Sequence, residues 1–152
     1  MTPKRPLEGC LTELVSASWQ QTMAIGERIA VKLKQGSVVA MQGCLGSGKT
    51  CLVKGIAKGL CISETITSPT YTIVCEYKGS LDLYHIDAYR LAGEDDFDQL
   101  GLDEIIGVRG VTIIEWSEKV IKSLPEDAVK INIEITSDGM RLIRIYGLEI
   151  AL

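Results

Sequence analysis

Apolar residues recur along this chain with two different periods, and each change of period marks an element. Over 18–33, Ile25, Ile29 and Leu33 return every fourth residue with Met23 and Ala30 beside them, the spacing of a helix with one buried face. Ser18 stands as its N-cap and Gly36 as its terminator. Ser37-Val38-Val39-Ala40-Met41 is a short apolar run that reads as a buried strand. Helical spacing returns over 51–58, with Leu52, Val53 and Ile56 on one face and Gly59 closing the helix. After a polar loop over 62–70, two β-like runs at 71–77 and 81–87 flank Lys78-Gly79-Ser80 and predict a hairpin. An acidic helical stretch over 93–101 precedes a second buried strand, Val111-Thr112-Ile113-Ile114-Glu115. Ser117 caps a short helix that stops before Pro125. Alternation then resumes over 128–136 and 140–146 around Ser137-Asp138-Gly139, a turn with the Asp-Gly hairpin signature. Residues before about Thr12 lack periodicity, and 1–12 is expected as a loose arm or an edge strand.

Between the first strand and the second helix lies Gly43-Cys44-Leu45-Gly46-Ser47-Gly48-Lys49-Thr50, which satisfies G-x-x-x-x-G-K-[ST] at every fixed position. Phosphates need donors packed around them, and a glycine-rich turn lets backbone N–H groups approach from several sides. The helix that follows adds the positive end of its dipole. Lys49 is expected on the β- and γ-phosphates, and the Thr50 hydroxyl on Mg²⁺. Strand, glycine loop and helix in that order predict an α/β, P-loop NTPase-like three-layer fold, with a mixed central β-sheet flanked by helices.

Composition narrows the class. A chain of 152 residues, 46% hydrophobic and 24% charged, is expected as one domain over 1–152 and as an ordinary globular protein. No apolar stretch approaches a membrane span, and none follows Lys4-Arg5 as a signal peptide requires, so a cytoplasmic protein without membrane contact is expected. The 5 cysteines form no C-x-x-C pair and there is a single histidine, so reduced thiols are expected rather than a zinc site. A net charge of −4 argues against this surface holding nucleic acid by itself.

Hydrolysis or transfer also needs carboxylates near the metal and a group that places the nucleophile. Glu115 ends a buried strand, a position from which a carboxylate can reach the Mg²⁺ shell. Leu81, Leu83, His85 and Asp87 share one strand face, so Asp87 and His85 arrive together if that face looks at the loop. Asp87 is the candidate to hold a metal-bound water or orient the attacking one. For His85 a supporting hydrogen bond outweighs a direct catalytic role. Asp98-Gln99-Leu100-Gly101 matches D-x-x-G but follows a helical stretch, and no N-K-x-D occurs, so a GTPase is not indicated.

The glycine loop, Ser68-Pro69-Thr70-Tyr71, His85-Ile86-Asp87-Ala88-Tyr89-Arg90-Leu91 and Ile114-Glu115-Trp116 together closely resemble the TsaE family, formerly YjeE, with order and spacing kept over 14–146. The resemblance implies a Mg²⁺-dependent ATPase, weak alone, for making threonylcarbamoyladenosine in tRNA. It also implies the TsaB–TsaD complex as partner, tRNA being contacted only through that complex, with hydrolysis resetting the assembly between turnovers. Carried over, Lys49 contacts the phosphates and Thr50 and Glu115 organise the metal. Asp87 is the essential acid, Ser68 and Thr70 lie in a switch-like loop, and Cys51 and Trp116 border the nucleotide. Cys44, Ser47 and Cys51 replace a usual Asp, Ala and Thr, and Trp19-Gln20 replaces an acidic pair near the adenine. Two other readings share the P-loop: a small-molecule kinase, and a nucleotide-binding adaptor without significant turnover.

Overall fold

The computed structural model describes residues 11–44, 46–69 and 72–150. Seven strands form one sheet: β1 (Leu11–Ser16), β2 (Val38–Gly43), β3 (Val74–Tyr77), β4 (Leu83–Asp87), β5 (Val111–Glu115), β6 (Val129–Ile135) and β7 (Arg141–Tyr146). Their order across the sheet is β1-β7-β6-β2-β5-β4-β3. The centre, β6-β2-β5-β4, is parallel, and antiparallel pairs with β3, β7 and β1 complete both flanks. The central strands β4 and β5 are covered on both faces, so neither alternates in burial, and β4 buries the polar His85 and Asp87 along with its apolar residues.

Helices α1 (Trp19–Lys32) and α2 (Lys49–Gly59) cover one face. There Ile29, Leu52 and Ile56 meet Met41, Leu83 and Ile113 in the larger core cluster. Burying each such aliphatic side chain contributes about 1.5–3 kcal/mol before entropy is charged. The other face carries α3 (Glu94–Asp98) and two short 3-10 turns, Ser117–Lys119 and Ile121–Ser123. Ile86, Ile114, Phe97 and Leu124 fill that second cluster. These are the three layers expected, with a sheet of mixed direction.

Ser18 caps α1 as expected, its Oγ accepting from Gln21 N at 3.2 Å. Gly36 does not end that helix. Leu33 already turns extended, and Gly36 instead donates its N–H to Gly110 O at 2.7 Å. The acidic helix is five residues long, and the one expected after Ser117 is broken into the two 3-10 turns. Of the expected arm, residues 1–10 lie outside the described ones, and Leu11 and Thr12 open the edge strand β1. Strand β3 begins at Val74, three residues after the expected start.

Candidate functional site

Because β2, β4 and β5 run parallel and adjacent, their carboxyl ends share one edge of the sheet. Met41 pairs with Glu115, and Glu115 with Asp87. The chain leaves β2 at Gly43 and makes the glycine turn there. Gly46 and Gly48 take φ of +77° and +108°, values that side-chain-bearing residues rarely adopt. Gly48 is the N-cap of α2 with no side-chain cap bond, and the first turn carries no acidic residue. The helix therefore presents its first-turn N–H groups and dipole to the loop without a competing carboxylate.

A cleft of about 330 Å³ opens over this turn. It is lined by Cys44, Gly46, Ser47, Gly48, Lys49, Thr50 and Cys51, and by Ser68, Asp87, Tyr89, Glu115 and Trp116 from other elements. Gly43 lies at its base, where its carbonyl accepts from Lys49 Nζ. Leu45, Thr70 and Tyr71 lie outside the described residues. The other residues expected on phosphate, metal or water are at the cleft or its base, and Asp87 and Glu115 arrive there side by side through the pairing of β4 with β5.

Lys49 is buried, which pushes its pKa below the usual 10.5; Glu115, Glu118, Asp87 and Cys44 oppose that shift. Its ammonium lies 3.7 Å from the centroid of the Trp116 ring, which in turn stacks obliquely on Tyr89 at 5.0 Å. Asp87 Oδ1 accepts from Tyr89 N at 2.8 Å. The Asp87 N–H donates to Ile73 O at 2.9 Å, and Ile73 N donates to Pro69 O at 2.6 Å. Ile73 holds φ of +68°, a conformation that costs a β-branched residue about 1–3 kcal/mol. Ile73 is thus strained and bonded both to the backbone of Asp87 and to Pro69, which follows Ser68. Burial raises the Cys51 pKa, with Lys54 opposing, so that thiol is not activated.

The donor set suits a hard cation. Thr50, Asp87 and Glu115 offer oxygen ligands, as Mg²⁺ prefers. Among the described residues no three His, Cys, Asp or Glu side chains form a metal cage by themselves. Such a site fits an ion held jointly by one or two protein oxygens and by phosphate.

Two features escaped sequence reasoning. Arg141, on β7, donates from Nε to Ser47 O at 3.0 Å, from Nη2 to Gly46 O at 3.2 Å and from Nη1 to Gly139 O at 3.0 Å. It ties two carbonyls of the glycine turn to β7, yet it follows Ser47 by 94 positions and no local pattern marks it. A second cleft of about 230 Å³, which shares Gly48 and Cys51 with the first, is lined by Ser16, Ser18, Trp19, Thr22, Gly139 and Arg141. Asp98 lines neither and belongs to a groove beside Phe97 and Pro125, in keeping with a coincidental D-x-x-G match.

A family model described as "Threonylcarbamoyl adenosine biosynthesis protein TsaE" matches residues 16–143. A Treponema pallidum protein named tRNA threonylcarbamoyladenosine biosynthesis protein TsaE is 48% identical over 131 residues, covering 86% of this chain and 97% of that one. A Bacillus subtilis protein of the same name is 42% identical over 123 residues, 80% of this chain and 77% of its own. The crystal structure of Bacillus subtilis YdiB superposes with a TM-score of 0.78 at 34% identity, covering 89% of this chain and 84% of that one.

Proposed function

The chain belongs to the TsaE family, and on that premise we propose that it binds and hydrolyses ATP as an accessory protein in making threonylcarbamoyladenosine in tRNA. One observation carries the reading: a glycine turn, a buried lysine and two carboxylates from neighbouring strands converge on a single cleft. The loop amides and Lys49 hold the phosphates. Thr50 and Glu115 are the residues that would hold Mg²⁺, which when bound offsets the charge of the phosphates. Asp87 orients the attacking water, its carboxylate set by the bond from Tyr89 N. The second cleft, adjoining through Gly48 and Cys51 and walled by Trp19, is where the adenine fits.

The partner is the TsaB–TsaD complex, hydrolysis resets it between turnovers, and tRNA is reached through it. A net charge of −4 supports that indirect contact. Among the described residues no helix is long and apolar enough to cross a membrane. A tRNA-modifying role places the work in the cytoplasm. Among the described residues no arginine lines the larger cleft, which weighs against the small-molecule kinase. The test is phosphate release from Mg-ATP by the purified protein, alone and with TsaB–TsaD. Slow release, accelerated by the complex, is expected. Tight ATP binding with no release under either condition leaves the adaptor reading standing instead.

A further inference from the structure

His85 is fully buried and Glu115 is 3% exposed, and the imidazole Nε2 lies 2.5 Å from Glu115 Oε2. Strand register explains the meeting. His85 stands opposite Ile113 and Asp87 opposite Glu115, so all four point to the helix-covered face. The imidazole reaches diagonally, one same-face position along the neighbouring strand, to the buried Glu115 carboxylate.

The other ring nitrogen specifies the tautomer. His85 Nδ1 is buried and has no hydrogen-bond partner among the described residues. A proton there would be a buried donor without an acceptor, whereas a proton on Nε2 has Glu115 Oε2 directly in line of use. The ring therefore donates through Nε2 and keeps Nδ1 bare.

Resting on the reading of Glu115 as the metal-side carboxylate, we propose that His85 is the positioning residue for it. The Nε2–H bond engages Oε2, fixes the carboxylate rotamer and leaves Oε1 to the cation. A carboxylate held in this way presents one oxygen in a set direction. Groups that orient metal ligands typically affect metal affinity 10–100-fold when removed, without touching the metal themselves. Among the described residues His85 does not line the cleft over the phosphate-binding turn, so nucleotide affinity in the absence of metal is expected to be independent of it.

A single histidine in the chain makes the test direct. With the imidazole ¹⁵N-labelled, the spectrum reports one ring, and the Nε2–H tautomer is expected. Mg²⁺ with a non-hydrolysable ATP analogue should shift that signal, and the analogue with EDTA should not. An Nδ1–H tautomer, or a ring signal indifferent to Mg²⁺, overturns the proposal using the unaltered protein. In parallel, Mg²⁺ is titrated against a fluorescent ATP analogue. His85→Leu should raise the half-saturating Mg²⁺ concentration about tenfold with metal-free affinity unchanged, and His85→Gln, which keeps a donor near the Nε2 position, should restore most of it. Glu115→Gln separates the two levels of the argument. If it shifts the Mg²⁺ titration and folded His85→Leu does not, His85 has no positioning role and Glu115 keeps its own. If Glu115→Gln shifts nothing, the metal reading of Glu115 fails and the proposal falls with it.

Discussion

The Lys49 ammonium rests on the face of the Trp116 ring, 3.7 Å from its centroid, while Trp116 itself holds a left-handed backbone at φ 58°, ψ 38°. The strained turn at the end of β5 is what swings the indole over the glycine loop. The aromatic face and the Gly43 carbonyl together hold the lysine that the phosphates would also engage.

Nucleotide should therefore be visible through Trp116. In a Trp19→Phe protein, where Trp116 is the remaining tryptophan of two, adding Mg-ATP should change emission as Lys49 transfers to phosphate. The Trp116→Phe protein, which keeps only Trp19, should lack that component of the change. Unchanged Trp116 emission in the Trp19→Phe protein while it binds Mg-ATP would remove the proposed contact.

Lys49 also implies a pH dependence. Folding lowers its pKa, so between the folded value and the ordinary 10.5 the unfolded chain binds more protons, and this group's contribution to stability rises with pH across that window. ATP affinity should run the other way, falling as the ammonium loses its proton below pH 10.5. Lys49→Arg should displace that fall to higher pH, and Lys49→Ala should weaken binding by roughly one to two powers of ten. Calorimetric ATP titrations of the three proteins across that pH range check these outcomes.

Asp87→Asn retains a side-chain oxygen for the Tyr89 N–H, so fold and ATP affinity should survive. Hydrolysis stimulated by TsaB–TsaD should be lost. Stimulated phosphate release at the unaltered rate would mean that the carboxylate places no water.

Arg141→Gln removes the fork that holds the Gly46 and Ser47 carbonyls. Two such bonds amount to about 1–3 kcal/mol, so ATP affinity should fall roughly tenfold or somewhat more. Far-ultraviolet circular dichroism should be unchanged. Unaltered affinity would show that the turn keeps its shape without the clamp.

The two helices cross where Gly26 faces Leu52 and Gly55 faces Met23. A Cβ at Gly55 would stand 2.2 Å from Met23 O, and one at Gly26 2.5 Å from Leu52 O. Since backbone must move, Gly55→Ala should cost about 1–3 kcal/mol or more and lower Tm by roughly 3–10 °C. An unchanged melting curve would contradict this close packing.

Short-range pattern carried a large part of this protein into view. The runs at 37–41, 111–115 and 128–136 are strands because continuous or alternating apolar residues bury on a sheet, and both hairpins follow their turn residues. The phosphate turn is legible because its chemistry requires glycines, lysine and a hydroxyl within eight residues. Parity along β4 put His85 and Asp87 on one face before any neighbour was known. Boundaries set by capping competition were less legible, as at Gly36, where the helix had already ended at Lys32.

What the residues could not specify alone is which strands lie side by side. Adjacency of β4 and β5 is decided by how all seven strands share two buried faces, and that adjacency brings His85 to Glu115 across 30 positions. The same global pairing carries Arg141 from the last strand to the phosphate turn. Local sequence determines an element's type and its buried side, since both depend on spacing within a few residues. Contacts between distant elements depend on the joint burial of the whole chain, and only the folded arrangement settles them.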